Sequence, residues 1–133
     1  MLFLRKSSLE RLPVAMSSVR MGERVLLIGT DDSTLTGAIA AKVGLSGHAA
    51  MAVSDEPGAA RAQRASASGG VLIDVQVTPL DSLPFAPDAF DVVVLQDGPS
   101  LPSIESRVGA GMLHNCHRVL RTGGRIVVIE GGP

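Results

Sequence analysis

The sequence predicts an α/β domain in which a mostly parallel five-stranded sheet carries helices on both faces. Short apolar runs alternate along the chain with segments of helical periodicity, an order typical of right-handed strand–helix–strand units. The chain has 133 residues, of which 45% are hydrophobic and 19% charged, and this suits one ordered domain with a single buried core.

Five segments have the composition of buried strands. The clearest is the apolar run that ends at Gly29, whereas the second segment is rich in alanine and therefore weak by propensity. The predicted strands are Arg24–Gly29, Ala49–Val53, Val71–Val77, Asp91–Leu95 and Arg125–Glu130.

Three segments between these strands are predicted to be helical. Asp32 or Ser33 can cap the first helix and Gly44 suits its end, while Pro57 is tolerated at the start of the second. The predicted helices are Thr34–Val43, Pro57–Ser66 and Ile104–Arg121.

In the third helix one side is apolar and is expected to face the sheet. Gly109 and Gly111 should weaken this helix by about 1 kcal/mol each relative to alanine. The residues expected on its buried side are Ile104, Val108, Met112, Cys116, Val119 and Leu120.

Composition and charge exclude several function classes. The formal net charge is −1, the basic residues are scattered, and there is no Trp or Tyr, so neither a basic stripe nor a stacking platform for nucleic acid is indicated. No apolar run approaches the roughly 20 residues that span a bilayer. The arginines Arg61, Arg64, Arg118 and Arg121 are expected on solvated helix faces.

The single cysteine, Cys116, rules out an internal disulfide and favours a reducing, cytoplasmic compartment. His114 and His117 lie near it in sequence, but only these two histidines share a helix face. We therefore expect no metal site, with Cys116 in the core and both histidines at the surface.

The first 20 residues are rich in Arg and Ser, with Glu10 as the one acidic residue. A transit peptide could have this composition, but a short helix that packs on the sheet is the preferred interpretation. We divide the chain into a helical or extended segment, residues 1–21, and one domain, residues 22–133.

Two motifs in the second half of the chain resemble a known family. Leu83-Pro84-Phe85 precedes Phe90–Val94 by five residues, and Arg118–Gly124 leads into the last apolar run. This order resembles the class I, Rossmann-like S-adenosylmethionine (SAM) dependent methyltransferases of the small-molecule type, similar to methyltransferase domain 11. The resemblance implies strand order 3-2-1-4-5, SAM as cofactor and methyl transfer to a small molecule.

In that family the first strand leads into a glycine-rich loop that holds the methionine part of SAM. Here Gly29 is retained, while Asp31 and Ser33 stand at the later glycine positions. The resemblance assigns Gly29, Thr30, Asp31 and Ser33 to the cofactor. The alternative is that Asp31, Asp32 and Ser33 only cap the helix that follows.

Three further positions carry the family's cofactor contacts. Asp55 or Glu56 would accept hydrogen bonds from the ribose hydroxyls, or would simply form the acidic first turn of a helix. Pro79 stands where an acidic residue reaches adenine, so Asp81 could substitute only with a rearranged loop. Gln96 closes the fourth strand at the same edge of the sheet.

The resemblance also implies strands six and seven beyond the fifth strand, which this sequence does not contain. The apolar strand 125–130 would then be a sheet edge with unpaired backbone groups. We expect it to be covered by the N-terminal segment, by a second copy in a homo-oligomer or by a protein partner.

These departures leave more than one function open. The chain is a SAM-dependent methyltransferase with no identifiable catalytic base, or a non-catalytic methyltransferase-like module that serves as a binding or assembly subunit. A dinucleotide oxidoreductase ranks behind both, because the strand at Gly29 is not followed by G-x-G-x-x-G.

We expect the isolated chain to bind SAM weakly or not at all, because Asp31 replaces a glycine and would repel the carboxylate of the ligand. Calorimetric titration with SAM and S-adenosylhomocysteine measures this directly. A dissociation constant in the micromolar range or below would contradict the expectation.

Overall fold

The computed structural model describes residues 2–5, 18–29 and 32–130. Its strands and helices alternate along the chain as the sequence predicts. They are β1 (Leu2–Arg5), β2 (Arg24–Ile28), α1 (Ser33–Ala41), β3 (His48–Val53), α2 (Glu56–Gly69), β4 (Asp74–Val77), β5 (Phe90–Gln96), α3 (Arg107–Val119) and β6 (Leu120–Glu130).

The strands of the described chain form one parallel sheet of order β1-β6-β5-β2-β3-β4. The predicted order 3-2-1-4-5 corresponds to β4-β3-β2-β5-β6 and is confirmed. β2 is the strand at which the order reverses, because it lies between β3 and β5.

The central strands β2, β3 and β5 are buried on both faces, and their alternate residues enter different cores. In β2, Leu27 belongs to the core beneath α1 and α2, whereas Leu26 belongs to the core beneath α3. Met51 and Val94 extend the first core, and Met112 lies in the second.

The structure adds a sixth strand that the sequence analysis did not predict. In β1, Leu2 lies opposite Val127 of β6 and Arg5 lies opposite Glu130. Residues 2–5 are therefore a strand and not part of a helix, and the N-terminal segment covers the edge of β6. Of the three ways in which this edge was expected to be covered, the structure shows the N-terminal segment. β1 provides hydrogen-bond partners for main-chain groups of β6, a strand whose Val127 is fully buried.

The third helix starts later than predicted, and its first turn differs from the prediction, whereas Met112, Cys116 and Val119 are buried as expected. Ser106 caps α3 by accepting a hydrogen bond of 3.0 Å from the Gly109 N–H. Ile104 and Val108, which were expected in the core, are 39% and 43% exposed. Gly109 faces inward instead, since a Cβ on it would overlap the main-chain oxygen of Ser103.

The predicted strand Val71–Val77 is also shorter in the structure. Val71 is bonded to the end of α2, because its N–H donates to the Ser66 carbonyl and its own carbonyl accepts from the Ser66 hydroxyl. Pairing with β3 begins only at Asp74, opposite Ala50, and Leu72 is left 93% exposed.

At the amino ends of the strands, Asp91 links β2, β5 and β6. Its carboxylate accepts a 2.8 Å hydrogen bond from the Arg24 N–H and a 2.6 Å bond from Arg121 Nε, and the Arg24 guanidinium lies at 3.3 Å. Burial alone would raise the pKa of Asp91, but these bonds outweigh it and lower the pKa from 3.8 to about 2.

We expect Asp91 to stabilise the fold above pH 4 and to lose this effect as the pH falls from about 4 to about 2, because its pKa is lower in the folded than in the unfolded chain. Urea unfolding of the wild type and Asp91→Asn at several pH values tests this. Their difference in unfolding free energy should be largest at neutral pH and shrink in that window. Asp74→Asn, which removes an exposed carboxylate, is the control; a difference independent of pH would contradict the prediction.

Candidate functional site

A small pocket lies at the carboxyl ends of β3 and of β2, the strand at which the sheet order reverses. This is the place where parallel α/β sheets bind their ligands. Its volume is about 10 Å³, room for about one water molecule. The described residues that line it are Gly29, Ala52, Val53, Ser54, Asp55, Gly58, Arg61, Leu80 and Ser100.

Gly29 leaves β2 with a positive φ of 100°. A Cβ at this position would overlap the main-chain oxygen of Gln96 at the end of β5. Both the backbone conformation and the close approach therefore require glycine. Of the other residues predicted in this loop, Thr30 and Asp31 lie outside the described residues.

Asp55 is the N-cap of α2 and also lines the pocket. Its Oδ1 accepts a hydrogen bond of 2.8 Å from the Gly58 N–H. A carboxylate has room for several further hydrogen bonds. The cap and a ribose contact are therefore compatible with each other, and the role of Asp55 towards the cofactor stays a prediction.

Ser33 and its neighbour Asp32 hold the start of α1. Asp32 Oδ1 accepts a hydrogen bond of 3.0 Å from the Leu35 N–H, which makes Asp32 the N-cap. The Ser33 hydroxyl donates to the main-chain oxygen of Arg61 at 3.2 Å. Ser33 thus joins α1 to α2, and it is not among the residues that line the pocket.

The structure does not bring Glu56 and Asp81 into this pocket. Glu56 is exposed in the first turn of α2. Asp81 is exposed, and its main-chain oxygen accepts a hydrogen bond of 2.8 Å from Asn115 of α3. Its neighbour Leu80, which is 5% exposed, lines the pocket in its place.

Gln96 is buried and bonded inside the protein. Its Nε2 donates to the hydroxyl of Thr36 at 2.5 Å, and the exposed fractions of Gln96 and Thr36 are 5% and 0%. This bond joins the end of β5 to α1. Thr36 was not predicted, because nothing in the sequence of a helix shows which strand its polar side chains will contact.

Arg61 and Ser100 also line the pocket and were not predicted as site residues. Arg61 was expected on a solvated helix face, but it is half-buried. The signal that could have found it is helical spacing, since Gly58 and Arg61 follow the cap Asp55 on one side of α2.

A second, larger pocket lies at the carboxyl ends of β5 and β6. Its volume is about 470 Å³, within the range of small-molecule sites. The turn at Gly98–Leu101, closed by a 3.0 Å hydrogen bond from the Leu101 N–H to the Gly98 carbonyl, separates it from the first pocket. It is lined by Asp97, Leu101, Pro102, Ser103, Ile104, Glu105 and Val128.

Cys116 and the neighbouring histidines lie as expected, with Cys116 fully buried and His114 and His117 exposed. Burial raises the pKa of the Cys116 thiol to about 12, so it is no nucleophile at neutral pH. Within the described residues, no three His, Cys, Asp or Glu side chains could hold a metal ion together. None of the described helices is long and apolar enough to cross a membrane.

We expect Thr36→Val to lower the free energy of unfolding by about 1–3 kcal/mol, because it leaves the buried Gln96 amide without its partner. Thr36→Val combined with Gln96→Leu should recover part of this loss, since neither partner then stays unsatisfied. Urea unfolding of both single variants and the double variant gives the coupling. Purely additive losses would contradict a direct bond.

Comparisons with known proteins agree with this architecture. A family model described as "Methyltransferase domain" matches residues 31–128. The ubiquinone/menaquinone biosynthesis C-methyltransferase UbiE of Ectopseudomonas mendocina (strain ymp) is 32% identical over 123 residues, which cover 91% of this chain and 46% of that protein. The chain therefore spans about half the length of this curated relative.

Two solved structures illustrate the shared fold. A SAM-dependent methyltransferase from Aquifex aeolicus superposes with a TM-score of 0.68 at 16% identity, covering 84% of this chain and 58% of that one. A SAM-dependent O-methyltransferase from Thermotoga maritima gives 0.67 at 19% identity, covering 88% and 41%. With the family model matched over residues 31–128, this chain belongs to the methyltransferase domain family, the class I methyltransferases that use SAM as cofactor.

Proposed function

We propose that this chain binds SAM in the pocket at the ends of β2 and β3 and transfers its methyl group to a small molecule. The observation that carries the proposal is the meeting of Gly29 and Asp55 in one pocket where the sheet order reverses. The family match supports transfer, and it does not favour the alternative of a non-catalytic binding module.

The residues in this pocket fit the cofactor in kind. Asp55 offers carboxylate oxygens for the ribose hydroxyls, Leu80 offers apolar surface for a purine ring, and Gly29 allows close approach of the main chain. The volume of 10 Å³ is far below the roughly 300 Å³ of small-ligand sites, so the walls have to move apart on binding.

Bound SAM would supply an electrophilic methyl group on its sulfonium. The chain's own contribution is to hold an acceptor beside it, because proximity and orientation can provide much of the rate of such a transfer. The second pocket is suited to this, since Ser100 lines the first pocket and Leu101, the next residue, lines the second.

The lining of the second pocket favours one kind of acceptor. Leu101, Ile104 and Val128 offer an apolar wall, and Asp97 and Glu105 are the charged residues. An apolar molecule with a hydroxyl or amino group would suit this lining, with a carboxylate oxygen of Asp97 or Glu105 accepting its hydrogen bond. The curated relative is named a C-methyltransferase, so a carbon atom of such a molecule is the first acceptor to test.

A cytoplasmic location and an oligomer or protein partner stay predictions. β1 already pairs with β6, so a partner strand at residues 125–130 would have to displace β1. We expect a partner strand to pair with β6 only where residues 2–5 leave the sheet.

We expect Asp55→Asn to weaken S-adenosylhomocysteine binding about tenfold, because it replaces the charged carboxylate that accepts the ribose hydrogen bonds with a neutral amide. Its melting temperature should stay close to that of the wild type, because Asn caps helices as well as Asp. Glu56→Gln is the matched control, since Glu56 is the exposed neighbour outside the pocket.

Calorimetric titration of the three proteins measures these affinities. If Glu56→Gln weakens binding and Asp55→Asn does not, the ribose contact is assigned to the wrong carboxylate. If the wild type takes up no S-adenosylhomocysteine even at millimolar concentration, the proposed function is wrong.

A further inference from the structure

Arg61 occupies a particular place in the cofactor pocket. It is half-buried on α2 and lines the pocket together with Gly29 and Asp55. Its main-chain oxygen accepts a hydrogen bond of 3.2 Å from the hydroxyl of Ser33, which is the first residue of α1. The turn of α2 that carries Arg61 therefore lies against the start of α1, where the loop that follows β2 ends.

The acidic residues that precede α1 disfavour the binding of a ligand carboxylate there, and a cation such as Arg61 would compensate for this. The α-carboxylate of a bound amino acid would normally rest on main-chain N–H groups at a helix N-terminus. Here the sequence places Asp31 and Asp32 just before α1, and Asp32 Oδ1 already accepts from the Leu35 N–H. The negative charges of these two side chains offset the attraction of the helix N-terminus for the carboxylate of a ligand.

Among the described residues that line this pocket, Arg61 is the one cation and Asp55 the one anion. Both residues reach the same pocket, Asp55 from the N-cap of α2 and Arg61 from a later turn of the helix, next to α1. A ligand with hydroxyls at one end and a carboxylate at the other could therefore contact both residues.

We propose that the Arg61 guanidinium binds the amino-acid carboxylate of SAM, with Asp55 holding the ribose, an assignment that rests on the proposed function. A guanidinium presents N–H donors in a planar fork that matches a carboxylate and allows two parallel hydrogen bonds. Its positive charge would offset the negative charges of Asp31 and Asp32, which precede α1 in the sequence. The orientation of the cofactor in the pocket follows, with its nucleoside towards β3 and its methionine part towards α1.

The test compares two ligands that differ only in this carboxylate, S-adenosylhomocysteine and its decarboxylated form, which keeps the amino group. Arg61→Gln should weaken binding of S-adenosylhomocysteine about tenfold and leave binding of the decarboxylated ligand nearly unchanged. Arg61→Lys should recover part of the loss, because it restores the charge without the planar fork.

Arg64→Gln is the matched control, since Arg64 is exposed one turn nearer the end of the same helix and does not line the pocket. It should leave both affinities unchanged. Thermal unfolding of each variant separates a loss of binding from a loss of fold, and the bond from Ser33 is kept in all of them because it is made to the main chain.

The outcomes separate this inference from the proposed function. If the wild type binds both ligands and Arg61→Gln weakens both equally or neither, Arg61 does not bind the carboxylate, and the proposed function stands. If the wild type binds neither ligand, the proposed function is wrong and this assignment falls with it.

Discussion

The close approach of Gly29 to the main chain of Gln96 fixes the place of the candidate site. β2 and β5 pair in parallel up to Ile28 and Leu95, and directly beyond that pair the two backbones come too close for any Cβ. The chain can leave the sheet here only with the positive φ of Gly29. The pocket at the carboxyl ends of β2 and β3 begins at this turn, since Gly29 lines it.

The Gln96 side chain extends the same constraint to a helix. Its bond to the buried hydroxyl of Thr36 sets α1 against the end of β5. The Ser33 hydroxyl then connects α1 to α2, and α2 carries both Asp55 and Arg61. The two charged residues of the pocket are thus positioned through polar contacts that begin at the Gly29 turn.

The motifs that revealed the family act in the fold and not in the chemistry. The Arg118 guanidinium donates to the main-chain oxygens of Phe85 and Leu83, each at 2.8 Å. Asn115 Oδ1 also accepts from the Leu83 N–H at 3.2 Å. The Leu-Pro-Phe segment and the Arg-Val-Leu segment are therefore two sides of one contact between α3 and the chain that leads into β5. Arg118 was expected on a solvated helix face, but its guanidinium bonds to these two main-chain oxygens. Because the recognisable motifs hold the fold together, the sequence predicted the fold better than the activity.

The strands that are buried on both faces could be predicted, because a run such as Val25–Ile28 has few other places in a soluble domain. β1 could not, because a four-residue strand that pairs with residues near the other end of the chain has no local signal. At the start of α3 the buried residue is Gly109 and not Val108, because Gly109, which looks like a defect in the helix, lies against the main chain of Ser103 where no Cβ would fit.

The cofactor site was only partly predictable for a related reason. An acidic residue before a helix serves equally as an N-cap or as a ligand contact, and Asp55 has the position for both. Arg61 offers only its helical spacing from Asp55 and Gly58 as a signal, and the sequence does not show that this turn of α2 packs against the start of α1.

The proposed function requires SAM to bind at the carboxyl ends of β2 and β3. A backbone amide NMR titration of the full chain with S-adenosylhomocysteine locates the binding site. We expect the largest changes in chemical shift at the amides of Gly29, Ser54 and Gly58, which line that pocket. Changes centred instead on Thr122–Gly124, which line a pocket of about 450 Å³ at the opposite end of the sheet, would contradict it.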